Sequence, residues 1–298
     1  MSAMPFGEFA ARPLPGRVAL ITGAGRGIGR AVALALADAG SKVVLGARTL
    51  RQVEDVASEV IGRGGEALAV HLDVTDPQSV DEFVATAMDR FGRVDVLVNN
   101  AGSNNGEENG AVGPVGEINP SAWWTDIEVN LRGTFLCTHS VLPHMAYGSG
   151  HIINVVSMAA VMPWPYDSAY ACSKAAVVRL TDSVAEEVRE RGIRVFALSP
   201  GSVDTELRGG AVDSPAGRQW LTKVNPNPQW VPAELPAEAV VFLVSGAADG
   251  LTGRFLSVDW DLPDLARRAE DIERRDVLQL RFVPDRRNAA CWPVPSVR

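Results

Sequence analysis

Lysine is nearly missing from this chain. Of 28 basic residues only Lys42, Lys174 and Lys223 are lysines, so an arginine says little by its presence and a surviving lysine says more. Cysteine is as scarce. Cys137, Cys172 and Cys291 are unevenly spaced and form no Cys-x-x-Cys pair, which argues against a disulfide framework and for free thiols in a reducing compartment. His71, His139, His144 and His151 include no His-Glu-x-x-His pair, so no metal site is expected. No run of about 18 apolar residues is present, so no membrane span is expected. Residues 1–15 lack a basic start followed by an apolar stretch, so no signal peptide is read there and the expected location is cytoplasmic. Positive charge is in deficit too. A net charge of -8 argues against nucleic acid or an anionic membrane as the main partner.

What is present is an ordinary supply of core. The chain has 298 residues, 46% of them hydrophobic, enough for one large α/β domain or two small ones. Short apolar runs at 17–22, 42–46, 67–72, 94–98, 152–156, 193–198 and 254–258 read as strands. Helical patterns lie between them, at 50–61, 77–91, 121–146, 168–191 and 236–245, with another running up to Ala39. Strands alternating with helices predict one doubly wound parallel sheet of about seven strands with helices on both faces. No linker-like composition interrupts residues 1–262, which are read as one domain. Residues 263–298 read as a C-terminal extension, helical to about Leu280 through Leu265, Ile272 and Leu278. It packs on the body or a neighbouring subunit, or forms a flap over the substrate entrance. Two segments break the rhythm: a Gly/Asn/Glu-rich loop at 103–119, and 202–236, with five prolines and two tryptophans.

Two strings carry chemistry. After the first strand, Thr22-Gly-Ala-Gly-Arg-Gly-Ile-Gly29 does not fit G-x-G-x-x-G but does fit G-x-x-x-G-x-G through Gly23, Gly27 and Gly29. Glycines there, Gly25 included, allow a tight turn and close backbone approach to a pyrophosphate, beside Arg26 and Ile28. The following helix N-terminus offers N–H donors to the anion. At the end of the second strand an acid would bond a ribose 2′-hydroxyl. This chain has Arg48 there, suited to a 2′-phosphate, with Arg26 as a possible helper, so NADP(H) is favoured and NAD(H) stays open. The second string is Tyr170-Ala-Cys-Ser-Lys174. A phenol and an ammonium four residues apart share one helix face.

Taken in order, these strings together with Asp73-Val74, Asn99-Asn-Ala-Gly102, Asn130, Ser157 and Pro200-Gly201 resemble the short-chain dehydrogenase/reductase family over about residues 14–261. The resemblance implies a Rossmann-type fold and a set of roles. Tyr170 is the general acid in carbonyl reduction and the base in alcohol oxidation, its phenol lowered by Lys174 and the oxidised nicotinamide. Lys174 also donates to the nicotinamide ribose. Ser157 bonds the substrate oxygen. Asn130 lies in the 121–146 helix and holds a water that links Lys174 to solvent. Asp73 accepts from the adenine amino group beside Val74, Asn99 secures the loop, and Ala101-Gly102 lets the backbone pass the ribose. Pro200-Gly201 lines the nicotinamide, with Val203 and Thr205 near its carboxamide.

The substrate side is expected in the segment after Ser157 and in 202–236, through Met158, Trp164, Tyr166 and Trp220. That lining suits a bulky, largely apolar ketone. The leading reading is an NADPH-dependent ketoreductase acting on a small molecule. The alternatives are an NAD-dependent alcohol dehydrogenase, an epimerase or dehydratase of the same family, and a non-catalytic nucleotide sensor. Relatives commonly pair through helices at about 121–146 and 168–191, which implies a homodimer or homotetramer.

Overall fold

The computed structural model describes residues 14–104, 110–145, 147–203, 215–224 and 229–281. Strands β1 (Val18–Thr22), β2 (Lys42–Ala47), β3 (Ala67–His71), β4 (Val96–Asn99), β5 (His151–Val155) and β6 (Arg194–Ser199) fall within two residues of the apolar runs that predict them. A two-residue pair follows, β7 (Ser202–Val203) with β8 (Trp230–Val231), and the large sheet is completed by β9 (Phe255–Ser257). The large sheet has seven parallel strands in the order β3-β2-β1-β4-β5-β6-β9.

The strands form because both faces of the sheet are covered. Alternate residues of β1 feed two separate apolar layers. Ala19 and Ile21 face one, and Val18 and Leu20 the other. The first layer is closed by α1 (Gly27–Asp38), α2 (Leu50–Gly62) and, much later in the chain, α8 (Glu234–Val244), through Leu36, Val56 and Phe242. The second is closed by α3 (Pro77–Phe91), α5 (Gly133–Val141) and α6 (Ser168–Glu187), through Phe83, Val141 and Val184. Local chemistry sets the helix ends. Asp76 caps α3, accepting from the Gln78 N–H at 3.1 Å, with Pro77 in its first turn, and Gly92 closes it at φ 71°.

The helix predicted over 121–146 is not continuous. It begins as α4 (Pro120–Ile127), widens into a π turn over Glu128–Arg132, and resumes as α5. In the π turn the Gly133 N–H reaches back to Glu128 O, and a side chain on Gly133 would collide with Val74 Cγ2 at 2.6 Å. Helix α7 (Pro215–Val224) and the β7–β8 pair arise in the proline-rich stretch where no element was predicted.

The extension is helical only in part. Helices α9 (Leu262–Arg267) and α10 (Ala269–Arg274) are short, and the chain then turns out of the helix at Asp276 (φ 48°) and Leu278 (φ 64°). There Leu278 O accepts the Phe255 N–H at 2.7 Å, Gln279 Nε2 donates to Asp182 Oδ1 at 3.0 Å, and Arg281 pairs with Asp182 at 2.7 Å. The outward edge of β9 is thereby covered. Residues from Phe282 on, with Cys291, lie outside the described residues, as do 105–109 of the long loop. Cys137 is buried and Cys172 exposed, both as free thiols. Among the described residues no helix is long and apolar enough to cross a membrane.

Candidate active site

The strand order reverses between β1 and β4, and the crevice beyond their C-terminal ends is where α/β sheets of this kind hold ligands. A cleft of about 400 Å³ opens there. It is lined by the glycine turn, Arg26, Ile28, Arg48, Asp73, Val74 and residues 100–102.

Hydrogen bonds lock the glycine turn to the loop after β4. Thr22 Oγ1 accepts from the N–H of Asn100 (3.1 Å) and Ala101 (2.9 Å). The Asn100 amide donates to Thr22 O and Gly23 O at 3.0 and 3.1 Å. Gly23 sits at φ +66°, and a Cβ on it would lie 2.9 Å from the Ala101 backbone. A Cβ on Gly29 would strike Gly23 O and come within 2.5 Å of the Asn100 amide. The first turn of α1 follows Arg26, whose extended backbone supplies no side-chain cap to the first-turn N–H groups. Those donors, the steric demand for glycine and the two arginines fit a dinucleotide phosphate. Asn99 is buried and donates to Asn154 Oδ1 (2.8 Å) and Thr138 Oγ1 (3.1 Å), which anchors β4 to β5 and α5.

Asp73 sits across the cleft. Partial burial raises its carboxyl, but the Thr75 N–H (2.9 Å) and hydroxyl (2.7 Å), helped by Arg48, hold it below the usual range. The residues that would hold the adenosine end are therefore Asp73 and Val74, with Arg48 and Arg26 toward a 2′-phosphate. Thr49 and Gln52 also line this end, as does Asn100. None of the three was singled out from the sequence, although Asn100 stands inside a quoted motif.

The structure brings the catalytic candidates together beyond Gly102, the cleft residue nearest them. Ser157 ends β5's extension and caps a short 3₁₀ turn, accepting from the Ala159 N–H at 3.2 Å. Its hydroxyl faces the Tyr170 phenol closely enough to favour the phenol's ionised form. Lys174 lies one helical turn on, with Nζ 5.6 Å from the Tyr170 ring centre, and donates to Val155 O at 2.9 Å. Gly102 borders both sets: a Cβ there would sit 3.3 Å from Asn130 Oδ1 and 3.7 Å from Lys174 Nζ.

In this structure burial outweighs the other influences on both groups. Burial pushes Tyr170 up to about 12; the Ser157 hydroxyl pulls against this, and Asp167 and Asp126 add to it. Burial likewise brings the Lys174 amine down to about 8, with Asp126 opposing. The reason is physical: low-dielectric surroundings disfavour the charged form of both groups. One expectation is corrected: Asn130 lies in the π turn rather than an α-helix. Its Oδ1 accepts the Ser103 N–H at 2.8 Å, and its Nδ2 donates to Ser103 O (2.8 Å) and Ser173 Oγ (3.0 Å). The side chain pins the loop after β4 to α6. Its backbone carbonyl accepts from Thr134 Oγ1 at 2.8 Å.

On the substrate side, Met158 lies in the 3₁₀ turn and Trp164 packs edge-on against Trp220 of α7, centroids 5.4 Å apart. Tyr166 takes φ 70°, rare for an aromatic residue, and its carbonyl accepts the Gly113 N–H at 2.7 Å. Asn104 Nδ2 donates to Asp167 Oδ2 at 3.2 Å, so the long loop is stitched to the residues that lead into Tyr170. Gly201, after Pro200, has φ +74°, and a Cβ there would lie 3.0 Å from Val258 and 3.1 Å from Val231. Val203 follows in β7, and Thr205 lies outside the described residues.

Comparison with known proteins agrees with this geometry. The family described as short chain dehydrogenase matches residues 17–215. The short chain dehydrogenase citE of Monascus ruber is 37% identical over 275 residues, covering 90% of this chain and 89% of that one. A 3-oxoacyl-[acyl-carrier-protein] reductase of Synechocystis sp. is 37% identical over 249 residues, 83% of this chain and 96% of that one. Among solved structures, a gluconate 5-dehydrogenase of Burkholderia cenocepacia in complex with NADP and tartrate superposes with a TM-score of 0.75 at 34% identity, covering 86% of this chain and 99% of that one. With its seven-stranded Rossmann-type sheet and ordered motifs, the chain belongs to the short-chain dehydrogenase/reductase family of NAD(P)-dependent oxidoreductases.

Proposed function

We propose that the protein is an NADPH-dependent reductase interconverting a ketone and a secondary alcohol on a bulky, largely apolar small molecule. The observation that carries this reading is the clustering of Ser157, the Tyr170 phenol and Lys174, whose Nζ lies 5.6 Å from the phenol ring centre, beyond Gly102 of a cleft that carries Arg48 and Arg26. A nicotinamide dinucleotide, when bound, supplies the hydride. Tyr170 gives its phenol proton to the oxygen of the forming alcohol, and in oxidation its phenolate takes that proton back. Ser157 orients the same oxygen and stabilises the charge that develops on it. Lys174, an ammonium beside the phenol, restores the proton and holds the ribose end of the cofactor. Asn130 is a positioning residue in this scheme, through Ser103 and Ser173.

Arg48 supports NADPH because a guanidinium pairs with a phosphate through charge-assisted bonds, whereas no carboxylate stands at the end of β2 to bind a ribose hydroxyl. Trp164, Trp220, Met158 and Tyr166 support an apolar substrate. Exposed Trp124 (58%) and Phe135 (49%) on α4 and α5 support self-association through that face, as a homodimer or homotetramer. A panel of bulky ketones followed by nicotinamide absorbance tests the assignment. NADPH consumption with clear preference over NADH is the expected result. Cofactor binding with no consumption of either would point instead to a nucleotide sensor, and a product of unchanged oxidation state to an epimerase or dehydratase.

A further inference from the structure

Helix α4 and the π turn that continues it lie beside α6 and are tied to it at two levels. The Trp123 indole N–H donates to Ser168 Oγ at 3.0 Å, and Asn130 Nδ2 donates to Ser173 Oγ at 3.0 Å. Ser168 and Ser173 bracket Tyr170 along α6. Trp123, Asp126 and Asn130 follow one another at three and four residues, the spacing of a single helix face. Asp126 thus stands between the two ties, opposite the turn that carries Tyr170, and it is 0% exposed.

A fully buried carboxylate is expensive to keep and marks a place where its charge matters. Among the described residues, these ionisable groups lie near it. From α6 come Tyr170 and Lys174, and from the α6 N-cap comes Asp167, itself buried and bonded by Asn104. From its own segment, Glu128 and Arg132 pair with each other at 3.1 Å on the exposed side.

Resting on the catalytic reading above, we propose that Asp126 is a positioning residue for the Tyr170–Lys174 pair: its negative charge keeps the Lys174 amine an ammonium and restrains the phenol from ionising. Asp126 favours the protonated form of both groups, raising the phenol further and opposing the burial that lowers the amine. Asp167 pushes the phenol the same way. The sign for catalysis follows. Alcohol oxidation needs Tyr170 as phenolate and Lys174 as ammonium, so its rate follows a bell whose rising limb lies at the lower of the pair's two titrations and whose falling limb lies at the higher. Removing the carboxylate charge moves both limbs toward lower pH together.

The test is the pH profile of kcat/KM for oxidation in wild type, Asp126→Asn and Asp126→Glu, beside Tyr170→Phe. Asp126→Asn is expected to shift both limbs down by about half a pH unit or more, and Asp126→Glu to stay near wild type. Identical profiles for all three overturn the inference while leaving the catalytic assignment intact; an active Tyr170→Phe overturns the assignment itself. A second readout needs no substrate and no folded Asp126 variant. The chain has only three tyrosines, so the ultraviolet difference titration of wild type against Tyr170→Phe isolates one phenol. It is expected to ionise above the ordinary tyrosine value of about 10; ionisation at or below that value overturns the inference.

Discussion

The two ends of the cleft are made of different material. The nucleotide end is made of backbone: Gly23 and Gly29 leave no room for a side chain, and Thr22 and Asn100 bond main-chain atoms across β1 and β4. The catalytic and substrate end is made of side chains from distant segments, with Trp164 meeting Trp220, Asn104 meeting Asp167, and Trp123 meeting Ser168. Steric necessity forces residue types at the first end. At the second, shape and charge are assembled by packing, and many residue combinations satisfy them. The backbone part of the first end suits the phosphates of a nicotinamide dinucleotide whatever the substrate, and the second end is free to differ in substrate between relatives as unlike in name as a 3-oxoacyl-[acyl-carrier-protein] reductase and a gluconate 5-dehydrogenase.

Substitutions at the two ends separate accordingly. Among substitutions that act on binding, the largest effect is expected at the backbone end. Gly29→Val places a branched side chain against Gly23 O and the Asn100 amide. Overpacking of this kind costs about 1–3 kcal/mol or more, so calorimetric titration should find cofactor affinity lowered by roughly 100-fold, together with a lower melting temperature. Arg48→Asp comes next. A hydrogen bond to a charged group is worth about 1.5–3 kcal/mol, so the KM for NADPH should rise by roughly 10- to 100-fold while that for NADH stays level or falls. Equal changes for the two cofactors would remove Arg48 from the selectivity argument. The smallest effect is expected at the side-chain end. Trp220→Ala removes the edge contact with Trp164. It should lower kcat/KM for a bulky ketone by about 10-fold, the scale of a lost apolar contact, and leave a small ketone and the NADPH KM unchanged. A matching loss with both ketones would mean that Trp220 supports the fold and not the substrate.

The same contrast explains what could be read without a structure. All seven strands of the large sheet were legible because a parallel sheet buried on both faces demands unbroken apolar runs. The glycine motif, Asp73, Asn99, Ser157 and Tyr170-x-x-x-Lys174 could be picked out because their order is a family signature; of these the glycine motif and Asp73 line the cleft, and Ser157, Tyr170 and Lys174 cluster beyond Gly102. The π turn was not legible, because one hydrogen bond drawn from Gly133 to Glu128 requires no distinctive residue. Asp126 reads in sequence as a polar residue between Thr125 and Glu128, and only the packing of α4 on α6 shows it to be buried. The helical period after Asp264 is real through α10, but it does not foretell that Leu278 leaves the helix to bond the open edge of β9. The phenol's upward shift was missed for a related reason: a charge pair is visible in the sequence, and the dryness around it is not.

The central claim is that the Tyr170 phenol exchanges the proton with the reacting oxygen. Single-turnover reduction by Tyr170→Phe, with NADPH saturating and its affinity and the melting temperature verified as unchanged, tests it directly. The account predicts a rate lower by about 10²- to 10⁴-fold, the span of general acid catalysis. A rate within a few-fold of wild type would contradict it.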